Sequence, residues 1–354
     1  MDFEWLIVDD GSVDETASLF TSNDNDNSSI HLYTFSSKNE NESGQTSDIR
    51  HQTSNFPIRY IYQENGGKHR AINCGVREAQ GELFFIADSD DMLPPNALET
   101  VAKVYGEIQE DKSFAGVCGL DGTFDGKVIG SGLPQDVIDD TSIVVRFMMG
   151  VTGDMKEVFR TNVLKEFPFP EIEEERFCPE VLLWNRIATK YKLRYFNQII
   201  YLAEYQEDGI SAGIVKARMQ SPIASMMTYA ELTEYHNVPL KEKLKAAINY
   251  WRFRFNVNDN LNDNENWNDN VNVNPNYSER GQSLNENWND NVRSALPLCT
   301  FRSKNVNPNY SERGQSLNEN GEGKGRYPKL RWWWNWVMPV GFLMYLRDRK
   351  KYLK

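Results

Sequence analysis

Two short apolar runs of this chain each end in a cluster of acidic residues, and a helical pattern follows both. WLIV at 5–8 leads into DDGS, and LFFIA at 83–87 leads into DSDD. Strands that alternate with helices predict an α/β fold, with a mostly parallel central sheet flanked by helices. Open sheets of that kind bind ligands outside the carboxyl ends of their strands. Both acidic clusters are therefore expected at one ligand-binding edge.

Local patterns place further elements along the chain. The spacing of Ser12 and Glu15 matches a capping box, which predicts a helix that begins at Ser12. Residues 58–62 read as a strand, and the helix after Gly66-Gly67 would bury one apolar face. That face carries Ile72, Val76 and Ala79. Further helices are expected after residues 94–96, over about 179–190 and through most of 216–255, with a strand at 157–160 and one or two strands over 193–205.

Two stretches depart from the composition of the rest. Residues 21–55 are rich in Asn, Ser, Asp and Thr, and residues 256–323 are dominated by Asn, with NVNPNYSERGQSLNEN present at both 272–287 and 305–320. We predict that both are low-complexity, disordered insertions. Between the two copies, 295–301 has ordinary composition and is expected to be a fragment of the parent fold.

These boundaries predict four regions. They are a domain at 1–215 that contains the insertion at 21–55, a helical extension at 216–255, the Asn-rich repeats at 256–323, and a basic aromatic tail at 324–354.

Charge is unevenly distributed and restricts the possible partners. The chain has 39 Lys and Arg against 51 Asp and Glu, a net charge of −12. Residues 324–354 hold nine Lys or Arg and one Asp, a net of +8, so the remainder carries −12 − 8 = −20. An acidic body argues against nucleic acid as a partner. The basic tail predicts a local anionic partner such as a phospholipid surface.

The four cysteines point to a reducing compartment. Cys74, Cys118, Cys178 and Cys299 are scattered and form no CxxC pair, which argues against a zinc ribbon and against a disulfide scaffold. The first residues show no basic region followed by an apolar stretch, so no signal peptide is expected. The sequence therefore predicts a cytoplasmic protein.

The tail has the composition of a membrane-interface helix. RWWWNW at 331–336 opens a mostly apolar stretch that ends at Leu346, and four basic residues follow between 347 and 351. This stretch is shorter than the roughly 20 residues of a spanning helix. We expect 327–354 to make a peripheral contact with the inner face of the membrane. The alternative is a helix that packs on the protein's own core.

The polar residues beside the sheet have both functional and purely structural interpretations. Asp88 and Asp90 supply the carboxylate oxygens that Mg²⁺ or Mn²⁺ prefers, although a solvated acidic loop would look the same. Asp9 and Asp10 could bind a base or ribose, or could cap a turn. Lys68 follows two glycines and could meet phosphate.

Three further residues are candidates with a structural alternative. Glu180, after Pro179, would be kept ionised by the helix dipole and could act as a general base, or could only cap its helix. His69 is expected to be structural rather than catalytic. Asp154 is a weaker candidate for acceptor binding.

Taken together, these pieces resemble the family-2 glycosyltransferases with the GT-A fold. IVDDGSVDET at 7–16, NGGKHRAINCGVREAQGE at 65–82 and FFIADSDDMLPPNALE at 84–99 follow one another in the family's order. The resemblance covers about residues 1–210, with 21–55 as an insertion. It implies an inverting transfer from a nucleotide-diphospho-sugar, most commonly a UDP-sugar, to a saccharide or lipid-linked acceptor in cell-surface polysaccharide synthesis.

The resemblance also implies a role for each matching residue. Asp9, with Asp10 beside it, would contact the nucleotide base, Asp88 would lie near the ribose and the metal, and Asp90 would ligate the metal. Asp91 would support these groups from behind. Glu180 in RFCPEVLLWNRIA would be the base, and the loop at 204–211 would lie near the donor phosphates.

One departure from the family pattern leaves two other hypotheses open. The family begins with an additional strand and helix, so we expect this chain to start at the second strand of the fold. A truncated relative without transferase activity is one alternative reading. A sugar-phosphate nucleotidyltransferase is another, although the Gly-rich signature with Arg and Lys that such enzymes carry near the N-terminus is not found.

Overall fold

A mixed β-sheet with helices on both faces forms the body of the protein. The computed structural model describes residues 2–20, 31–33, 51–53, 56–203, 210–262, 295–302 and 328–352. The strands are β1 (Asp2–Asp10), β2 (His31–Tyr33), β3 (His51–Thr53), β4 (Ile58–Gln63), β5 (Leu83–Ile86), β6 (Phe114–Gly122), β7 (Val137–Asp140), β8 (Met155–Arg160), β9 (Lys192–Leu202) and β10 (Ala295–Arg302). The α-helices are α1 (Lys68–Glu78), α2 (Ala97–Gly106), α3 (Thr161–Glu166), α4 (Glu180–Ile187), α5 (Ile210–Gln220), α6 (Pro222–Leu232), α7 (Leu240–Asn262) and α8 (Met338–Tyr352).

Eight of the described strands form one sheet, in the order β4-β1-β10-β5-β8-β6-β9-β7. Five of them, β4, β1, β5, β6 and β9, run in one direction, as the pairings of neighbours require. Their carboxyl ends therefore meet at one edge. The expected α/β fold with a central sheet is confirmed. The sheet is less parallel than predicted, because only β1–β4 and β6–β9 pair in parallel among the described strands.

Both faces of the sheet are buried. Phe84 and Ile86 of β5 pack in one apolar cluster with α1, α3 and α4, whereas Phe85 packs in a second cluster with α2. Successive side chains of a strand point to opposite faces, so an unbroken apolar run is what a strand between two helical layers requires. The run at 83–87 predicted this position correctly.

Strand β10 lies in the middle of the sheet, between β1 and β5. It pairs antiparallel with β1 along its whole length, and Leu298 lies opposite both Leu6 and Ile86. This is the segment between the two Asn-rich copies that the sequence marks as part of the parent fold. Its backbone provides hydrogen-bonding partners for the facing edges of β1 and β5, which buried strands need.

Local predictions were confirmed in most places and wrong in one. Ile72, Val76 and Ala79 lie buried along α1 and its end, and α4 begins directly after Pro179. The helix expected at Ser12 is instead a short 3₁₀ helix (Glu15–Leu19), capped by the side chain of Asp14. Ser12 is held outside that helix because its N–H donates to Asp9 Oδ1.

The predicted insertions lie mostly outside the described residues. Within 21–55, β2 and β3 pair with each other as a small antiparallel sheet. Within 256–323, only the end of α7 and β10 are described. Most of the loop at 204–211 also falls outside.

The region after the sheet is helical, as predicted, and the tail joins it. Helices α5, α6 and α7 pack around Met219, Met226 and Phe253. A 3₁₀ helix (Trp332–Val337) and α8 pack on α7, where Trp334, Val337 and Tyr345 are buried. None of the described helices is both long enough and apolar enough to cross a membrane.

Candidate functional site

Asp10 fastens the glycine loop to the carboxyl end of β1. Its Oδ1 accepts the N–H of Gly66 at 2.9 Å, and its Oδ2 accepts the N–H of Gly67 at 2.8 Å. Gly67 has a φ of +94°, and a Cβ there would lie 1.9 Å from the carbonyl oxygen of Arg176. Only glycine fits this position. Asp10 therefore fixes where α1 begins, which in turn places Lys68.

Asp9 is completely buried beside it. Its Oδ1 accepts the N–H of Ser12 at 2.7 Å, and its Oδ2 accepts the hydroxyl of Tyr60 at 2.5 Å. Burial and this hydrogen bond hold the pKa of Tyr60 above its ordinary value. The first acidic cluster is thus satisfied from within the protein, and its contact with a nucleotide stays a prediction.

Lys68 brings the second acidic cluster and Glu180 together. Its Nζ lies 2.7 Å from Asp88 Oδ1 and 2.9 Å from Glu180 Oε1. Removal from water would lower the pKa of Lys68, but the carboxylates of Glu180 and Asp88 outweigh it and hold that pKa above its ordinary value. All three side chains keep part of their surface exposed, so the group is open to a ligand.

Asp88 also contacts Tyr201, which lies near the carboxyl end of β9. Its backbone N–H donates to the hydroxyl of Tyr201 at 2.7 Å, and Lys156 Nζ lies 3.4 Å from the centre of the Tyr201 ring. Burial acts to raise the pKa of Asp88, but the charges of Lys68 and Lys156 dominate and lower it. Asp88 is therefore a carboxylate that is ion-paired with Lys68 and also feels the charge of Lys156.

Asp90 and Asp91 complete the acidic cluster. Asp90 is exposed, and Asp91 is partly buried. Burial raises the pKa of Asp91, and the charges of Asp88 and Asp90 raise it further. Negative charge is thus concentrated at this strand end, which is the condition that a divalent cation relieves.

The predicted metal ligands fit a site that is completed by a bound phosphate better than a site in which the protein supplies every ligand. Among the described side chains, no group of three or more His, Cys, Asp or Glu residues is arranged to hold a metal. Mg²⁺ at nucleotide sites is commonly bound by one or two carboxylates together with substrate phosphates. Asp90, exposed beside Asp88, fits that arrangement, in which a bound phosphate group would supply the remaining ligands.

Sequence reasoning missed a further carboxylate at this edge. Asp121 lies at the carboxyl end of β6, is 5% exposed, and its Oδ1 has no hydrogen-bond partner. Burial raises its pKa to about 7, against the attraction of Lys156. The signal was present, because Asp121 ends a buried strand as Asp9 and Asp88 do. It was overlooked because Gly116 and Gly119 interrupt the apolar run.

Two weaker candidates lie close to this group. His69 is buried in α1, and burial followed by the charge of Arg70 lowers its pKa to about 4, which keeps the imidazole neutral. The structural role that the sequence favours for His69 stays a prediction. Asp154 is exposed, and its charge contributes to the raised pKa of Asp121.

These features define an α/β protein with a charged site at the carboxyl edge of its sheet, the position at which proteins of this class bind nucleotides and similar ligands. Residues 37–119 match the model of the family described as glycosyl transferase family 2. Over this segment, which contains Lys68, Asp88 and Asp90, the chain is similar to that family. Asp9, Asp10 and Glu180 lie outside the matched segment.

Several curated glycosyltransferases resemble the chain. An uncharacterised glycosyltransferase of Rickettsia prowazekii is 33% identical over 64 residues, which cover 18% of this chain and 20% of the relative. The glycosyltransferase GlyG of Streptococcus pneumoniae is 28% identical over 161 residues, covering 41% of this chain and 51% of the relative. The poly(ribitol-phosphate) beta-N-acetylglucosaminyltransferase TarS of Staphylococcus aureus is 24% identical over 196 residues, covering 51% and 32%.

The chain spans no more than about half the length of these three relatives. A crystal structure of residues 1–349 of S. aureus TarS aligns with 56% of this chain and 55% of its own, with a TM-score of 0.39 and 15% identity.

Proposed function

We propose that this chain transfers a sugar from a nucleotide-diphospho-sugar to a hydroxyl of a saccharide or lipid-linked acceptor, with inversion at the anomeric carbon. The observation that carries the proposal is the position of Lys68, whose ammonium group bridges Asp88 and Glu180 at the carboxyl edge of the sheet. A cation for the donor and a candidate base for the acceptor thus lie within one group of side chains. The glycosyltransferase relatives support the same class of reaction.

Glu180 is the base in this proposal. Its carboxylate accepts the proton of the acceptor hydroxyl, while that oxygen forms a bond to the anomeric carbon of the donor sugar. The bond between the anomeric carbon and the diphosphate oxygen breaks, and the nucleoside diphosphate leaves with that electron pair. Attack opposite the leaving group inverts the carbon, and one carboxylate suffices because no covalent enzyme intermediate is formed.

Lys68 stabilises the leaving group. Charge builds up on the diphosphate as the bond to the sugar breaks, and a preorganised ammonium group lowers the energy of that state. Asp90 and Asp88 would hold Mn²⁺ or Mg²⁺ against the same diphosphate. A divalent cation bound there would neutralise part of the developing negative charge.

We further propose a UDP-sugar as donor and cell-surface polysaccharide synthesis as the setting. UDP is the donor nucleotide that the resemblance most commonly implies. The name of the relative TarS specifies transfer of N-acetylglucosamine to poly(ribitol-phosphate), a polymer acceptor, which supports a saccharide acceptor for this chain. The enzyme would act in the cytoplasm at the inner face of the membrane, where the basic tail meets anionic lipid.

Calorimetric titration of UDP into the full chain, with and without Mn²⁺, tests the donor site. We expect saturable binding that depends on Mn²⁺ and is lost in Asp90→Ala. The matched control is Asp136→Ala, since Asp136 is also exposed but precedes β7 away from the acidic cluster. Equal binding by Asp90→Ala would remove Asp90 from the metal site, and absence of binding in a folded chain would remove the transferase proposal.

A further inference from the structure

The tail helix has two different faces. One stripe is buried against the helical region and consists of Trp334, Val337, Gly341, Tyr345 and Asp348. The intervals of three and four residues place these side chains on one side of the helix. A helix at the surface of a soluble domain normally carries polar residues on its other side. The outer face of α8 and the preceding 3₁₀ helix does not follow that rule.

The inner face is fixed by specific contacts. The guanidinium of Arg252 on α7 forms an ion pair with Asp348, which is 2% exposed. Gly341 lies so close to α7 that an added Cβ would come within 2.5 Å of the Trp251 side chain and 2.8 Å of the Ile248 carbonyl oxygen. Helix α8 is therefore a built part of the helical region, and its orientation is set by α7.

The outer face is apolar for two turns. Trp336, Val340 and Leu343 follow one another at intervals of four and three residues and are 68%, 47% and 66% exposed. Trp333 joins them, because residues three apart lie above one another in a 3₁₀ helix. Contiguous exposed apolar surface of this kind marks an interaction site. Tryptophan in particular favours the boundary between lipid and water.

Basic residues continue the same face. Lys350 follows Leu343 by seven positions, two turns further along that face, and Arg349 and Lys351 are exposed beside it. Arg347, four positions after Leu343, is also exposed but forms an ion pair with Asp348. Apolar anchors beside a basic cluster match an anionic lipid surface in both chemistry and charge. A second copy of the chain fits less well, since a two-fold contact through this face would bring two basic clusters to one interface.

We infer that the outer face of residues 332–351 docks on anionic lipid while the inner face stays packed on α7. This goes beyond the proposed transfer reaction, because it assigns a membrane contact to particular residues. It also means that α8 connects the domain to the membrane rigidly, since its inner face stays packed on α7. The helix would lie in the plane of the interface with Trp336 and Leu343 in the headgroup region. The domain would then meet its acceptor in one orientation relative to the bilayer.

Flotation of the full chain with vesicles tests the inference. We expect it to float with vesicles of phosphatidylcholine and phosphatidylglycerol, and less so at high salt or with phosphatidylcholine alone. The triple variant Trp336→Ser, Val340→Ser, Leu343→Ser should lower the partition coefficient at least about tenfold, since burial of this apolar area drives insertion. Lys350→Glu should lower it by about fivefold or more.

Matched controls separate the face from general stickiness. Leu240→Ser removes an apolar side chain that is 73% exposed at the start of α7, and Lys241→Glu reverses an exposed charge beside it. Both should float like the wild type, and thermal unfolding should show all variants folded. Failure of the wild type to float would overturn the inference. Undiminished flotation of the triple variant would also overturn it. A wild type that forms a dimer but does not bind vesicles, with the dimer lost in the triple variant, would show that the face contacts a second copy of the chain instead.

Discussion

Lys68 Nζ lies 2.9 Å from Glu180 Oε1, although one residue begins α1 and the other begins α4. A lysine in the first turn of a helix faces the positive end of the helix dipole, which is unfavourable, whereas a glutamate there is favoured. The carboxylates of Glu180 and Asp88 offset this cost for Lys68. The arrangement concentrates one cation between two anions at the ligand-binding edge of the sheet.

Replacing Lys68 should weaken binding of the nucleoside diphosphate. Lys68→Met removes a charge-assisted contact to phosphate, so we expect the Kd for UDP to rise by about tenfold to a hundredfold. Lys68→Arg should retain part of the affinity because it keeps the charge. Calorimetry measures both, with Lys103→Met on the exposed side of α2 as control. Unchanged affinity in Lys68→Met would mean that this lysine only holds Asp88 and Glu180 in place.

Glu180 should affect catalysis far more than donor binding. In Glu180→Gln the side chain keeps its size but cannot take a proton, so kcat for sugar transfer should fall by about a hundredfold to ten-thousandfold. The Kd for UDP should stay within about threefold of the wild type, since Lys68 retains Asp88 as a partner. Release of UDP in the presence of acceptor measures the rate. A comparable loss in Glu110→Gln, at an exposed position after α2, would show that the effect is not specific to Glu180.

Local patterns predicted the elements that carry the site, because each pattern has a local cause. The apolar run at 83–87 is typical of a strand that is covered by helices on both faces. Gly66-Gly67 ends the preceding extended segment, and α1 begins directly after it. The approach of Glu180 to Lys68 could not be predicted from these patterns. It depends on how α4 packs against the sheet, which involves residues far apart in sequence.

The order of the strands in the sheet could not be predicted from local sequence patterns either. Ala295–Arg302 pairs with β1 and β5, but nothing local in that segment specifies either partner or an antiparallel direction. Asp121 shows the opposite case, a local signal that was readable once β6 was known to be a strand. The sequence thus predicted the parts of the site and the edge at which both acidic clusters lie, but not the order of the strands or the approach of Glu180 to Lys68.

Asp121 should make stability depend on pH. Its pKa is raised from 3.8 to about 7 in the folded protein, so the folded state binds this proton more tightly than the unfolded chain does. Stability from this group is therefore full below about pH 4 and is lost as the pH rises to about 7. Asp121→Asn removes this titration. The difference in free energy of unfolding between the variant and the wild type should therefore grow in favour of the variant across that pH window. The increase is about 1.4 kcal/mol per pH unit and reaches a few kcal/mol at most.

Urea unfolding at several pH values measures this difference. Asp125→Asn is a control of opposite sign, because hydrogen bonds from Lys127 and Thr123 lower the pKa of that exposed carboxyl group. Asp125 therefore contributes its stability above its ordinary pKa and loses it as the pH falls. An advantage of Asp121→Asn that stays constant between pH 4 and 7 would contradict the raised pKa.

The buried pair between Arg252 and Asp348 should decide whether the tail helix stays docked. Asp348→Ala leaves the guanidinium of Arg252 buried without its carboxylate, which should cost about 3–5 kcal/mol in the free energy of unfolding of the helical region. The double variant Arg252→Met, Asp348→Leu should recover most of this loss, because it removes both charges and keeps the volume filled.

Arg331→Met tests whether any tail ion pair would behave the same way. Arg331 pairs with Glu234 at the surface, where both side chains are largely accessible to water, so its loss should cost less than about 1 kcal/mol. Urea unfolding gives the free energies, and limited proteolysis reports release of α8. Protection of the tail in Asp348→Ala equal to that in Arg331→Met would mean that apolar packing around Tyr345 and Gly341, rather than the buried charge pair, holds α8 on α7.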